Sequence, residues 1–451
     1  MTASLTPPRM PLWTKAAYGF ADTGINVFVI FKGLLILAFM VQYAGIDPAL
    51  AGWVTSSVLV LDIITDPIMG WVSDRTGGRF GRRHPYIFSG AVLMVALMVL
   101  TFAVPAGLGP QAAALWILLF FGLSSIAFTM VAIPYGAQSG EMTTDPLERS
   151  TMTGWRMVFA SIGILIGGAL LPGLAASMGY AKAALAVAPI VIGAVWMSLW
   201  ATRHAPRVAD PAPMNLSVMV RLVFSNRPFV MKAALYGVMT LAVAIFSAGL
   251  PFVATYLVLD VGNNNALSEA AQSITVLPLL FLASVFGAIL SQGFWVFMSR
   301  RIGKLNALVA GLALYIVALL LLAANLPSVN VTAIMGLFFL QGIANGAWMQ
   351  IPWALYPDLM DLTRVKSGAT IEGAFGALWI FGQKIANAVA PALLGLILAR
   401  QGWKEATGEI VLQPDAALIA LTWSVTYLPA LILLASIFGL LFIFRPALQR
   451  E

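Results

Sequence analysis

Two aspartates stand one helical turn apart in an otherwise apolar stretch, LDIITDPIMGWVSD, at residues 61–74. Asp62, Thr65 and Asp66 follow the spacing i, i+3 and i+4, which puts their oxygens on one face of a helix. Carboxylate and hydroxyl oxygens suit a hard cation. Two close carboxylates also disfavour joint ionisation, so one of them can instead hold a proton. The spacing therefore predicts a site for Na⁺ or H⁺ and leaves the choice between these ions open.

Other charged residues interrupt apolar stretches elsewhere in the chain, namely Asp22, Lys32, Arg156, Glu372 and Lys384. A charge is costly in hydrocarbon, so each is expected to face a protein interior or an aqueous cavity and to have a partner. Asp22 precedes Lys32 by ten positions, about 15 Å along a helix, which makes it a poor direct partner. Three interior cations therefore face the two acids at positions 62 and 66. This surplus predicts a negatively charged substrate, held by Lys32 with Arg156 or Lys384 assisting.

The elements that must position these residues are membrane-spanning helices. Sixty per cent of the 451 residues are apolar and ten per cent are charged, whereas soluble domains carry about 25% charged residues. A spanning helix needs roughly 20 apolar residues. The sequence predicts an all-α membrane protein with twelve transmembrane helices, at residues 14–43, 50–73, 85–105, 112–138, 152–177, 183–202, 229–258, 269–298, 305–325, 330–357, 370–399 and 416–444.

The polar connections indicate topology and domain organisation. Basic residues, Lys232 among them, concentrate in alternate connections, which predicts a multi-pass protein of a bacterial inner membrane with both termini in the cytoplasm. The longest polar stretch lies near mid-chain. It predicts a six-helix bundle at 1–203, a cytoplasmic linker at 204–228 and a second six-helix bundle at 229–451, an arrangement typical of the major facilitator fold.

The composition and the motifs also exclude several functions. There are no cysteines and only two histidines, so thiol chemistry and a histidine metal site are not expected. A GxSxG motif and a Walker A motif are absent, so neither an enzyme nor direct ATP coupling is predicted, and no cofactor apart from a coupling ion. The net charge of +7 follows topology and does not predict nucleic-acid binding. A passive lipid-handling protein, which would expose a polar groove to lipid, is an alternative.

Several segments carry a resemblance to a known family: YGFADTGIN (18–26), DIITDPIMGWVSDRTGGRFGRRHPYI (62–87), AIPYG (132–136), GWRMVFASIG (154–163) and PDLMDL (357–362). Together they resemble the glycoside–pentoside–hexuronide cation symporters of the major facilitator superfamily, the melibiose permease-like transporters. The resemblance implies a cation site formed by Asp62, Thr65, Asp66 and Thr129. It also implies that Lys384 links the cation and sugar sites and that Arg156 lines the cavity.

The departures from the family bear on the substrate. The positions of the acids that hold sugar hydroxyls in melibiose permease-like members correspond to Asn26 and Ala132 here. This favours an acidic solute such as a hexuronide over a neutral galactoside. Distant relatives also move lysophospholipids, so an amphiphilic anion is the alternative. The predicted substrate-binding residues are Asp22, Asn26, Lys32, Tyr135, Arg156, Trp379 and Lys384.

The resemblance also implies a charged latch on the cytoplasmic side. Its predicted members are Asp74, Arg75, Arg82, Arg83 and Glu141. Gly163 and Gly167 are expected to permit close helix packing. Taken together, the sequence predicts a cation-coupled symporter of a sugar, glycoside or organic anion. It is expected to act as a monomer among membrane lipids by alternating access of its two halves.

Overall fold

The structure is a computed structural model, which describes residues 10–76, 82–143, 145–203, 205, 224–258, 273–367 and 372–449. Regular structure in these ranges is helical, apart from one isolated β-bridge between Val258 and Ser328. Eleven helices of the described ranges are long and apolar enough to cross a membrane, and a pair bent by 43° makes a twelfth if its two parts form one span. The predicted all-α architecture is therefore confirmed.

The helices are numbered by span. They are α1 Leu12–Gln42, α2 Pro48–Arg75, α3 His84–Phe102, α4 Pro110–Met142, α5 Thr151–Met178 (with its first turn from Pro146), α6 Tyr180–Thr202, α7 Arg227–Tyr256, α8 Val276–Leu290 with Gln292–Ile302, α9 Lys304–Asn325, α10 Val331–Ser367, α11 Glu372–Arg400 and α12 Asp415–Ala447.

Three spans depart from regular α geometry. Helix α1 is interrupted at Phe20 and contains a π-helical turn at Phe31–Leu35. Helix α5 contains a π turn at Ile166–Leu170, and α12 contains another at Gly439–Phe444. Such turns widen the helix locally and are frequent at functional sites. The turn in α1 includes Lys32, which is buried.

The chain divides into two compact units, of which the first comprises residues 1–31, 61–104 and 119–212. Glycines allow the close helix packing within it. A Cβ built on Gly90 of α3 would lie 2.9 Å from a methyl carbon of Val131 on α4, and one on Gly167 of α5 would lie 2.8 Å from Cβ of Ile30. The predicted close packing at Gly163 and Gly167 is therefore observed.

The second unit comprises residues 32–60, 105–118 and 213–451. It contains a buried polar chain, in which Ser284 donates to Gln341 over 2.6 Å and Gln341 donates to Tyr315 over 2.7 Å. It also contains the second part of α1, which contacts the α11–α12 connection, and the start of α2, which packs against α11. The division at residues 203–229 stays a prediction.

Lys232 differs from the sequence-based expectation. The sequence pattern assigns it to the basic residues of the cytoplasmic connections, but it lies in α7 with its side chain fully buried. Its ammonium nitrogen is 6.0 Å from the ring centroid of Phe444 on α12. A cation over an aromatic face is an electrostatically favourable contact, so Lys232 belongs to the interior of the second unit.

Candidate functional site

A ladder of two hydrogen bonds joins α2 to α4 in the first unit. Ser125 donates its hydroxyl to Oδ1 of Asp62 over 2.5 Å. One turn further along both helices, Thr129 donates to Oδ1 of Asp66 over 2.8 Å. Asp62, Ser125 and Thr129 are buried. The structure thus brings three of the four predicted cation-site residues together and adds Ser125.

Thr65 is the fourth predicted cation ligand. Its hydroxyl oxygen is buried and has no hydrogen-bond partner in the described part of the chain. A buried hydroxyl without a partner is costly. Thr65 adds its oxygen from the α2 face that carries both aspartates, and the hydroxyls of Ser125 and Thr129 face it from α4. Two carboxylates and three hydroxyls form an all-oxygen donor set, which is the chemistry a hard cation prefers.

A second polar cluster joins α1, α4 and α5. The Arg156 guanidinium binds Asp22 with two atoms, Nε to Oδ2 at 2.7 Å and Nη2 to Oδ1 at 3.1 Å. Tyr135 donates to the same Oδ2 over 2.5 Å. Asp22 is buried, and the Arg156 side chain is 28% exposed. Three predicted substrate-binding residues therefore form one charged cluster with an accessible edge.

Two tyrosines brace this cluster. Tyr18 donates to the carbonyl of Tyr135 over 2.7 Å, and the Tyr135 hydroxyl, which donates to Asp22, also lies 3.0 Å from the carbonyl of Tyr18. Their rings stack with centroids 4.6 Å apart, and Ser198 of α6 also donates to the Tyr18 carbonyl. Asn26 donates to the backbone carbonyl of Asp22 one turn away. Helix α1 is interrupted at Phe20, between the carbonyls of Tyr18 and Asp22.

Glycines allow Arg156 to reach Asp22. A Cβ at Gly19 would lie 2.9 Å from the carbonyl carbon of Trp155, and a Cβ at Gly163 would overlap the carbonyl oxygen of Thr23. The backbones of α1 and α5 are therefore nearly in contact on both sides of the Asp22–Arg156 pair. Larger residues at these positions would separate the helices.

The pairing of Arg156 with Asp22 corrects the sequence-based charge balance. The sequence count sets three interior cations against the acids at positions 62 and 66 and leaves Asp22 aside. In the structure Asp22 neutralises Arg156, and Lys232 is a further interior cation, within the second unit. The charge of Arg156 is therefore balanced by Asp22 and gives no argument for an anionic substrate.

The remaining predicted substrate residues lie in the second unit. Lys32 is buried and Lys384 is half-buried. Trp379 is fully buried and stacks on Tyr236 with ring centroids 4.4 Å apart. Trp379 is thus part of an aromatic cluster between α7, α10 and α11.

The predicted latch is partly described. Arg83 forms an ion pair with Asp74 at 3.1 Å, whereas the Arg75 guanidinium lies 4.3 Å from the ring centroid of Trp71. Arg82 is half-buried, and the side chain of Glu141 lies outside the described residues. Arg83 thus meets Asp74, as the predicted latch requires.

A buried carboxylate outside the spans ties α1 to the start of α5. Glu148 accepts from Lys15 at 2.8 Å, from the backbone N–H of Met10 at 2.9 Å and from Thr143 at 2.8 Å. Burial by itself raises the pKa of Glu148, but these three hydrogen bonds outweigh it and lower the pKa below its ordinary value. Sequence reasoning missed this cluster.

Each of the two units buries charged side chains that lipid would not tolerate, as is expected of a membrane transporter. The structure is similar to that of a bacterial homolog of the human lysosomal transporter Spinster, solved in an inward-facing and unoccupied conformation. The TM-score is 0.61 at 17% identity, covering 98% of this chain and 97% of the other. The chain belongs to the family described as MFS/sugar transport protein, whose model matches residues 17–445.

The names of similar proteins agree with this family assignment. An uncharacterized symporter of Synechocystis sp. is 26% identical over 99% of this chain and 96% of its own length. A putative glycoside/cation symporter of Escherichia coli is 24% identical, with 87% and 83% covered. A sodium-dependent lysophosphatidylcholine symporter of Xenopus tropicalis is 22% identical, with 97% and 88% covered. The resemblance to the glycoside–pentoside–hexuronide symporters is confirmed, and these proteins are transporters rather than enzymes.

Proposed function

We propose that this protein is a cation-coupled symporter that carries a small polar solute, a glycoside or a hexuronide, by alternating access. It works as a monomer in the bacterial inner membrane, with both termini in the cytoplasm. The observation that carries the proposal is the ladder between α2 and α4. Apolar side chains would pack α2 against α4 at a lower cost in free energy than two buried carboxylates and three hydroxyls. Helix packing therefore does not explain these polar groups. Reversible binding of a cation accounts for them.

The Asp22–Arg156 cluster is the proposed substrate site. A carboxylate accepts hydrogen bonds from sugar hydroxyls, and a guanidinium donates to hydroxyls or to a carboxylate. Asp22 keeps acceptor capacity after it binds Arg156 and Tyr135, and the exposed edge of Arg156 remains for a solute. Asn26, Lys32, Trp379 and Lys384 complete the proposed site. The name of the Escherichia coli relative supports the glycoside class.

An amphiphilic anion is the second candidate substrate. It is favoured by the lysophosphatidylcholine symporter among the relatives, which shares nearly the whole length of the chain. Buried Lys32 and half-buried Lys384 would suit a phosphate group. A transport assay with both substrate classes separates the candidates.

The test uses purified protein in proteoliposomes with a glucuronide, a neutral glycoside and lysophosphatidylcholine, each under a Na⁺ gradient or a pH gradient. Asp62→Asn and Asp66→Asn should abolish uphill accumulation and leave solute exchange partly intact. The matched control is Asp415→Asn, which removes an exposed carboxylate at the start of α12 and should accumulate solute like the parent. Normal accumulation by both ladder variants would refute the cation assignment.

A further inference from the structure

Two adjacent buried serines on α4 make different hydrogen bonds. Ser124 donates to the carbonyl of Phe121 over 2.8 Å, within its own helix. This is the usual arrangement for a serine inside a helix. Ser125 reaches instead to Asp62 on α2, which is 63 residues away in the sequence. Both serines are fully buried, so their difference in partner does not come from exposure.

The bond of Ser125 is matched by the bond of Thr129. Ser125 and Thr129 are four residues apart on α4, and so are Asp62 and Asp66 on α2. The two hydrogen bonds are therefore separated by about 6 Å along the helix axes. Thr65 adds its own hydroxyl from the same face of α2. Ser125 thus occupies the same position relative to Asp62 as Thr129 occupies relative to Asp66.

The chemistry of the hydroxyl separates metal ions from protons. While Ser125 donates its hydrogen to Asp62, its oxygen keeps lone pairs that can bind a cation. A hard metal cation requires several oxygen ligands around it. A proton requires a single carboxylate oxygen, so an additional neutral oxygen gives it no comparable advantage. A buried hydroxyl beside the carboxylate therefore favours a metal cation over a proton.

We propose that Ser125 is a ligand of the coupling cation and makes the ladder selective for a monovalent metal ion such as Na⁺ over H⁺. This inference rests on the proposed function, since it assumes that Asp62 and Asp66 bind the coupling ion. It names the ion class that the aspartates alone leave open. It also assigns a role to a residue that the aspartate spacing did not single out.

The experiment compares Ser125→Ala with Ser124→Ala, a matched control that removes a buried serine hydroxyl from the adjacent position. Na⁺ affinity is measured by Na⁺-dependent thermal stabilisation of the purified protein and by the Na⁺ concentration for half-maximal uptake. Proton uptake is followed in the same vesicles with a pH-sensitive dye. Ser125→Ala should weaken Na⁺ binding roughly 10- to 100-fold, because the cation loses one oxygen ligand, a contact comparable in strength to a hydrogen bond to a charged group. Ser124→Ala should bind Na⁺ like the parent, and Ser125→Thr should retain most of the affinity.

The outcomes distinguish this inference from the function on which it rests. Equal loss of Na⁺ affinity in both alanine variants would show that packing is responsible and would overturn the role of Ser125. A parent protein driven by H⁺ and indifferent to Na⁺ would overturn the selectivity and leave cation-coupled symport standing. If neither ion drives or stabilises the parent, symport itself is refuted. Unchanged Na⁺ affinity in Ser125→Ala, with loss in Asp62→Asn, overturns only the role of Ser125.

Discussion

At the scale of residues, the Asp22–Arg156 pair joins α1 to α5 through two hydrogen bonds. Its two hydrogen bonds follow the forked geometry of a guanidinium and a carboxylate. Because Asp22 is buried, removal of Arg156 leaves an uncompensated negative charge in a site of low polarity. Removal of both charges avoids that penalty. The pair is therefore expected to show strong energetic coupling.

We expect Arg156→Gln to lower the free energy of unfolding by about 3 kcal/mol, the lower end of the range for a broken buried pair, since the arginine is partly exposed. The double variant Arg156→Gln with Asp22→Asn should recover much of this loss, although neither protein should transport solute normally. Thermal unfolding in detergent, followed by intrinsic fluorescence, measures the difference.

The control for this prediction is Arg400→Gln, which removes an exposed arginine at the end of α11 and should leave stability within about 0.5 kcal/mol of the parent. A double variant less stable than Arg156→Gln alone would contradict the assigned pairing.

At the scale of elements, the close approach of α5 to α1 sets the geometry of the substrate cluster. A long arginine side chain on α5 can meet Asp22 with two atoms only if the helix axes are held at a fixed short distance. Gly19 and Gly163 provide that distance, because their missing Cβ atoms would occupy the backbone of the opposite helix. Within the membrane, small residues of this kind are the usual means of close helix packing.

We expect Gly163→Ala to destabilise the protein by about 1–3 kcal/mol through overpacking against Thr23, and to reduce solute affinity because Arg156 moves away from Asp22. The same substitution at Gly154, also on α5, meets open space. Gly154→Ala should be neutral or should stabilise the protein by up to about 1 kcal/mol through helix propensity. Unfolding midpoints and solute-dependent stabilisation of both variants check the prediction, and equal behaviour of the two would argue against helix contact as the cause.

At the scale of the whole molecule, the proposed mechanism requires residues 1–203 to move against residues 229–451. In the second unit, the turn after α1 is hydrogen-bonded to the α11–α12 connection. The N–H of Gly45 donates to the carbonyl of Ala406 over 3.0 Å, and the N–H of Gly408 donates to the carbonyl of Gln42 over 2.9 Å. Alternating access would have to separate these backbone segments in every cycle.

We therefore expect a covalent link between these segments to stop transport. The chain has no native cysteine, so Tyr43→Cys with Thr407→Cys, both at exposed positions beside those hydrogen bonds, can be joined by a bifunctional maleimide. Asn306→Cys with Arg445→Cys is the control, because this hydrogen-bonded pair lies within the half 229–451. Solute uptake before and after cross-linking is the measurement. Full activity of the first double variant after complete cross-linking would rule out the separation of these segments.

The number and type of elements follow from the sequence without further information. Lipid leaves the backbone no partner but itself, so each long apolar run must be a helix. The helical period then places Asp62, Thr65 and Asp66 on one face. Ser125 and Thr129 also stand four residues apart in the sequence. This spacing indicates cation-site residues only when α4 is known to lie opposite α2.

Which side chains meet is a property of the tertiary packing. Asp22 and Arg156 are separated by 134 positions, and no local period relates them. Lys232 lies in a sequence context typical of a membrane-flanking cation, but helix packing places it inside the second unit. Local periodicity determines the face on which a residue lies. Which residues pair across helices depends on how closely the helices approach one another. Glycines and interruptions of the regular helix, which are distributed over the chain, set that distance.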